Sequence, residues 1–287
     1  MVPGALTIQS AIRLTSGYFI PHLGFGVGYG YGGAFVDPRS ATKPCVLEAF
    51  KVGYRLIDTA QVYANEAEVG QAFRESGLKR EEVFLSTKIY SASHGYESTL
   101  SAVDASLNRM GLDYVDLFLI HDASSGKKRR LDTYRALLDA RNLGKIKSVG
   151  VSNYGVKHLE EIKEAGFDMP VVNQIELHPF CQQKDIVSYC QEHSIAIEAY
   201  CPILRGDMDH PVINELAKQY NRDRAQILLR WSLQRGFTPL PRSSKPERIR
   251  SNAQIFDFEL SEDDMEKLNA LDRGKAGSIS WNPVDVP

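Results

Sequence analysis

The chain has 287 residues, long for one sandwich or bundle but ordinary for an α/β barrel, and its 43% hydrophobic and 24% charged shares are those of a soluble globular protein. A formal net charge of −2 gives no electrostatic reason to expect nucleic acid or an anionic membrane as partner. No stretch stays apolar and uncharged for the roughly 18 residues of a spanning helix, and "MVPGALTIQSAIRLTSG" carries no signal peptide, so a cytoplasmic location is expected.

In chain order, "HLGFG" reads as a first strand, followed by "GFGVGYGYGG" over residues 24–33. Gly28, Gly30 and Gly33 satisfy the G-x-G-x-x-G spacing of a dinucleotide-binding turn, but that fingerprint requires a helix opening on the third glycine. Here "AFVDPRSATKP" follows, and its two prolines place the helix start at about Ala41 or Pro44. The glycines are therefore expected in a pliable loop on the substrate side of the site, with Tyr29 and Tyr31 able to swing over a bound compound. The fingerprint is accidental.

A repeating unit then sets in. Val46, Ala49 and Phe50 run at helical spacing into Gly53, and the strand "YRLIDT" follows. Val69, Ala72 and Phe73 lead to Gly77 and "VFLSTK"; Val103, Leu107 and Met110 lead to Gly111 and "YVDLFLIH". The same sequence of helix, glycine and apolar strand recurs at Gly144 with "IKSVGVSN" and at Gly166 with "PVVNQIE", then less regularly through "IAIEAY" and "FTPLPR". Eight strands alternating with helices imply a parallel sheet buried on both faces. A (β/α)8 TIM barrel, one domain over residues 1–287, satisfies the pattern; a doubly wound open sheet satisfies it too, since strand order is not written in a sequence. The four cysteines, Cys45, Cys181, Cys190 and Cys201, form no C-x-x-C pair and no Cys/His spacing, so reduced thiols and no metal are expected.

Polar residues end the apolar runs: Asp58, Lys88, His121, Ser152 with Asn153, Gln174, Tyr200 and Arg242. Each alone has a plain explanation, as a helix cap, a solvated charge or a core histidine. In a barrel, all seven ends face one mouth, where barrel chemistry sits. Tyr63 lies five positions after Asp58. A free phenol titrates at about pH 10, but a neighbouring ammonium fixed by a carboxylate favours its ionised form. Asp58, Lys88 and Tyr63 supply those parts, and His121 can hydrogen-bond a carbonyl oxygen on its way to an alkoxide.

These residues lie in segments that resemble the aldo-keto reductases along nearly the whole chain: "GYRLIDTAQVYANEAEVGQAF", "FLSTKI", "DLFLIH", "GKIKSVGVSNY", "VVNQIELHPF", "AYCPI" and "LPRSSKPERIRSN". The resemblance implies a barrel that binds NADPH or NADP+ without a Rossmann domain and reduces aldehydes or ketones as a monomer or dimer. It makes Tyr63 the proton donor, Lys88 and Asp58 its tuning partners and His121 the group that orients the substrate. It assigns the carboxamide to Ser152, Asn153 and Gln174, the nicotinamide ring to Tyr200, and the adenosine 2′-phosphate segment to Arg242, Ser243, Arg248 and Asn252. The chain departs from the family pattern at Arg242 (usually lysine), Cys201 (serine), Val27 (threonine) and Ser251 (often acidic). The short loop "DASSGKKRR" and tail "SISWNPVDVP" imply an open substrate mouth, with Trp281 as a wall or a packed anchor. A cofactor-sensing regulatory subunit could use the same fold without keeping Tyr63, Lys88 and His121 together. A metal-assisted barrel hydrolase would need ligand pairing that His178, His193 and His210 do not show.

Overall fold

The computed structural model describes residues 6–29 and 37–287. Eight parallel strands form one sheet: β3 (Gly24–Gly26), β4 (Leu56–Asp58), β5 (Phe84–Ile89), β6 (Val115–Ile120), β7 (Ile146–Ser152), β8 (Val172–Glu176), β9 (Ala196–Tyr200) and β10 (Thr238–Pro239), each paired with its neighbour in chain order. They are preceded by an antiparallel hairpin, β1 (Ala11–Arg13) and β2 (Phe19–Pro21). The two ends of the sheet meet where the Gly26 N–H donates to the Pro241 carbonyl at 3.1 Å, which brings the sheet round into a barrel. The chain approaches itself so closely there that a Cβ on Gly24 would sit 2.4 Å from a Leu240 methyl. The open-sheet alternative is thereby set aside.

Alternation within each strand explains why the runs are apolar throughout. Leu117 and Leu119 of β6 join Leu56, Phe84, Val172 and Leu240 inside the barrel. Phe118 and Ile120 turn outward onto the helices. Both faces are buried, so neither is polar. The hairpin closes the end away from the strand C-termini. Its Leu14 and Ile20 pack on the inner core, and the Ser16 and Ser148 hydroxyls lie 2.8 Å apart. Above the apolar layer, Asp58 is in register with Ser86, Gln174 with Glu198, and Glu198 with Thr238, a polar tier on the inner face.

The intervening helices end as their glycines require. Gly53, Gly77 and Gly111 take left-handed conformations as caps of α1 (Pro38–Val52), α2 (Glu66–Ser76) and α3 (Tyr96–Met110). Gly144, Gly166 and Gly236 also have positive φ. One boundary differs from expectation. Helix α1 starts at Pro38, before Ala41, because the Asp37 carboxylate accepts from the Arg39 N–H and a proline is tolerated at the first helical position, where its missing donor has no helical partner. Pro44 lies within that helix. No helix among the described residues is long and apolar enough to cross a membrane.

Candidate active site

The strand ends deliver their polar side chains to one cavity of about 820 Å³. Asp58 closes β4 and is 4% exposed; Lys88, near the end of β5, is fully buried. The Lys88 ammonium donates to Asp58 Oδ1 at 2.6 Å and to the Thr59 carbonyl at 2.9 Å. Burial works against its charge, but Asp58, with Tyr63 and Glu198, outweighs it, and the Lys88 pKa is raised. It stays an ammonium at any working pH. Breaking such a pair from one side leaves an uncompensated buried charge.

Tyr63 ends a short 3-10 turn, Gln61–Tyr63, immediately beyond β4. Asn65 pins this turn: its amide donates to the Val27 carbonyl and to Thr42 Oγ1, both at 2.8 Å, and its oxygen accepts from Thr59 Oγ1 at 2.6 Å. The Tyr63 ring therefore stands at a set place, its centroid 5.1 Å from Lys88 Nζ and 5.6 Å from the His121 ring centroid, with the two planes at 82°. His121 lines the cavity while its Nδ1 is shut away from solvent and from partners among the described residues. Burial first, then the charges of Lys88 and His94, push its pKa well below the usual histidine value. It is a neutral imidazole.

Next to this group, Ser152 Oγ donates to the Gln174 carbonyl at 2.8 Å, and the Asn153 amide donates to the His121 carbonyl at 3.0 Å. Asn153 has φ 58, a left-handed conformation that asparagine accepts better than most residues. Tyr200, half-buried at the end of β9, shares its one hydroxyl hydrogen between Asn153 Oδ1 at 2.8 Å and the Trp281 carbonyl at 3.0 Å. The cavity continues past Tyr200 to Arg242, Arg248, Ser251 and Asn252. Trp281 also lines it with its indole half exposed, which makes it a wall rather than a packed anchor.

Ten of the twelve residues singled out from the sequence border this one cavity. Lys88 lies behind Asp58, and Ser243 is not in the lining; its carbonyl accepts from the Tyr29 hydroxyl at 2.9 Å. That bond corrects the expectation for Tyr29. The ring is 3% exposed and tied to the Ser243 segment, so it packs rather than swings. Gly28 belongs to the cavity, and its carbonyl accepts from Arg242 Nη1 at 2.7 Å. Gly30, Tyr31 and Gly33 lie outside the described residues.

A family profile described as the Aldo/keto reductase family matches residues 22–273. The chain belongs to the aldo/keto reductase family. It is 43% identical over 281 residues to the glyoxal reductase of Bacillus subtilis (strain 168), covering 98% of each chain. Among solved structures, an aldo/keto reductase from Brucella melitensis matches with TM-score 0.87 at 40% identity, over 93% of this chain and 99% of that one. An aldo-keto reductase of Bombyx mori, solved in complex with NADP, matches with TM-score 0.89 at 33% identity, over 99% of both.

Two carboxylates of this aldo/keto reductase escaped the sequence reading. Glu198, at the middle of β9, accepts from the Gln174 amide at 2.8 Å and is fully buried. Glu176, at the end of β8, holds the C-terminal tail: it accepts from His178 Nε2, the Ser278 hydroxyl and the backbone N–H groups of Ile279 and Ser280. Burial opposes its charge, but these donors prevail and lower its pKa. A charged residue two positions from another inward-facing polar residue, in a strand with buried neighbours, was the available signal for both.

Proposed function

We propose that this aldo/keto reductase is a single-domain, NADPH-dependent enzyme that reduces aldehydes or ketones to alcohols. One observation carries the reading above the others: the buried Lys88–Asp58 pair directly beneath Tyr63, with the neutral His121 ring edge-on beside it. The lining fits the cofactor chemically. Amide and hydroxyl groups of Ser152, Asn153 and Gln174 with the Tyr200 ring stand at the barrel end, and Arg242, Arg248 and Asn252 at the other.

A reduced nicotinamide, when bound in the cavity, would supply the hydride that the carbonyl carbon accepts. Tyr63 gives its hydroxyl proton to the carbonyl oxygen and recovers one from solvent. Lys88 stabilises the negative charge left on the phenol oxygen, and Asp58 holds the ammonium in place. Neutral His121 donates a hydrogen bond to the same carbonyl oxygen, fixing its orientation. Ser152, Asn153 and Gln174 would hold the carboxamide. Arg242 and Arg248, with Asn252 and the adjoining Ser243, would favour the 2′-phosphate of NADPH over the free hydroxyl of NADH through charge-assisted bonds.

The glyoxal reductase relative puts small α-oxoaldehydes first among substrates to try. The test is NADPH consumption with dicarbonyls, aldoses, aromatic aldehydes and ketones, for wild type and Tyr63→Phe. The substitution should lower turnover by about two orders of magnitude or more while NADPH still binds. Wild-type turnover in Tyr63→Phe would remove Tyr63 as donor.

A further inference from the structure

Gln174 is held in a way that its role at the carboxamide does not require by itself. Its side-chain nitrogen has two hydrogens, and both are taken: one by Asp58 Oδ2 at 2.9 Å, the other by Glu198 Oε2 at 2.8 Å. Two carboxyl groups on one side of an amide decide which end is nitrogen and which oxygen. We infer that Glu198 is a positioning residue, which with Asp58 locks the Gln174 amide so that its oxygen faces the bound nicotinamide's carboxamide and accepts from it. The inference rests on the cofactor reading above.

The geometry explains why one carboxylate is insufficient. Asp58 already gives Oδ1 to Lys88 and Oδ2 to Gln174, so it can secure one amide hydrogen only. Without Glu198, the second hydrogen is buried without an acceptor, and turning the amide over to satisfy it would put the oxygen against Asp58. Glu198 comes from the adjacent strand in register with Gln174, the position from which a cross-strand side chain reaches it.

The charge of Glu198 is consistent with this task. It is fully buried, faces Asp58 from β4 and Lys88 from β5, and its Oε1 has no partner among the described residues. Its register neighbour on β10, Thr238, is neutral and also has an unpaired hydroxyl. Burial first, then repulsion from Asp58, push its pKa up to about 8, against the opposing effects of Gln174 and Lys88. That shift favours the uncharged acid, whose carbonyl oxygen can accept from the amide while easing the repulsion from Asp58.

The test is fluorescence titration of NADPH at pH 7 with Glu198→Gln, Glu198→Asp, Glu198→Leu, Gln174→Leu and the double variant Glu198→Leu/Gln174→Leu. Glu198→Leu should weaken NADPH roughly 5- to 30-fold. The double variant should bind no more weakly than Gln174→Leu alone, because Glu198 acts only through Gln174. Glu198→Gln preserves length and an acceptor oxygen and should restore affinity to within about two-fold, whereas Glu198→Asp, one methylene shorter, should not. The Asp and Gln variants carry the comparison even where the leucine variants fold poorly. Wild-type affinity in Glu198→Asp, a Glu198→Gln loss as large as the aspartate's, or additive losses in the double variant would each overturn the inference. A wild-type protein that binds neither NADPH nor NADH would overturn the cofactor reading itself, and the inference with it.

Discussion

Gly28→Ala isolates the function of a glycine that the sequence places in a false fingerprint. A Cβ at this position would lie 3.2 Å from Tyr63 Cζ and 3.3 Å from Cε2, with the phenol oxygen at 3.5 Å. The near edge of the carbon–carbon contact range is about 3.5 Å, so the ring must withdraw by a few tenths of an ångström, roughly 0.3–0.5 Å. It has little room. The turn beneath it is pinned by Asn65, and His121 and Lys88 stand against it. If about 1 Å of misplacement lowers a rate by about 100-fold, a shift of this size predicts a turnover loss of roughly four- to ten-fold. The Gly28 carbonyl is unchanged by the substitution, so its bond from Arg242 persists and NADPH affinity should stay within about three-fold. The assay is steady-state reduction of one good aldehyde, beside an NADPH titration and a melting curve. Full wild-type turnover would show that the Tyr63 position is not limiting. Loss of NADPH affinity in a folded variant would return Gly28 to a direct role at the phosphates.

Further outcomes follow from single contacts. Arg242→Ala should weaken NADPH far more than NADH and flatten the salt dependence of NADPH binding; parallel losses for both cofactors would refute the phosphate contact. Because burial holds His121 neutral well below the usual histidine pKa, turnover should show no acidic limb near pH 6.5 that His121→Asn abolishes, which a pH–rate profile of both proteins decides. Arg130 is 2% exposed, grips both oxygens of Glu161 at 2.7 Å and donates to the Ala123 and Pro287 carbonyls; Arg130→Ala should lower unfolding free energy by about 3–5 kcal/mol in urea titrations, and a loss under about 1 kcal/mol would refute the buried-pair account. Although burial raises the Glu161 pKa, Arg130 outweighs it and the net shift is downward. The pair's stabilisation is therefore complete above the ordinary glutamate value of 4.5 and fades as pH falls through the lower folded value, and Arg130→Ala should lose that acid dependence.

The barrel was legible because its signals are local. A helix that stops at a left-handed glycine before an apolar run is written within about 20 residues, and the run is apolar because both strand faces are buried. The polar strand ends were legible for the same reason: Asp58, Gln174 and Tyr200 each interrupt such a run. What escaped depends on partners distant in the chain. Glu198 reads as an ordinary acidic residue until β8 brings it Gln174, which lies 24 positions from Glu198 and 116 from its other partner, Asp58 of β4. Tyr29 looks like a loop aromatic until Ser243, 214 positions away, accepts its hydroxyl. The hairpin of β1 and β2 escaped because three-residue strands are too short for an alternation to register. The start of α1 was misplaced because proline was weighed as a breaker, while Asp37 made it a first-turn residue.

The seam between β3 and β10 gives this molecule a particular biosynthetic schedule. Seven barrel strands leave the ribosome before Thr238 does, and until then β3 and β9 are open edges able to pair with other chains. The segment that ends this exposure, through the Gly26–Pro241 bond, also brings Arg242 to Gly28 and Ser243 to Tyr29. The same segment thus supplies the last strand of the ring and Arg242 at this end of the cavity. A chain ending before Thr238 would leave β3 and β9 unpaired and lack Arg242 and Arg248, and if NADPH binds as proposed it would favour the closed ring over open forms.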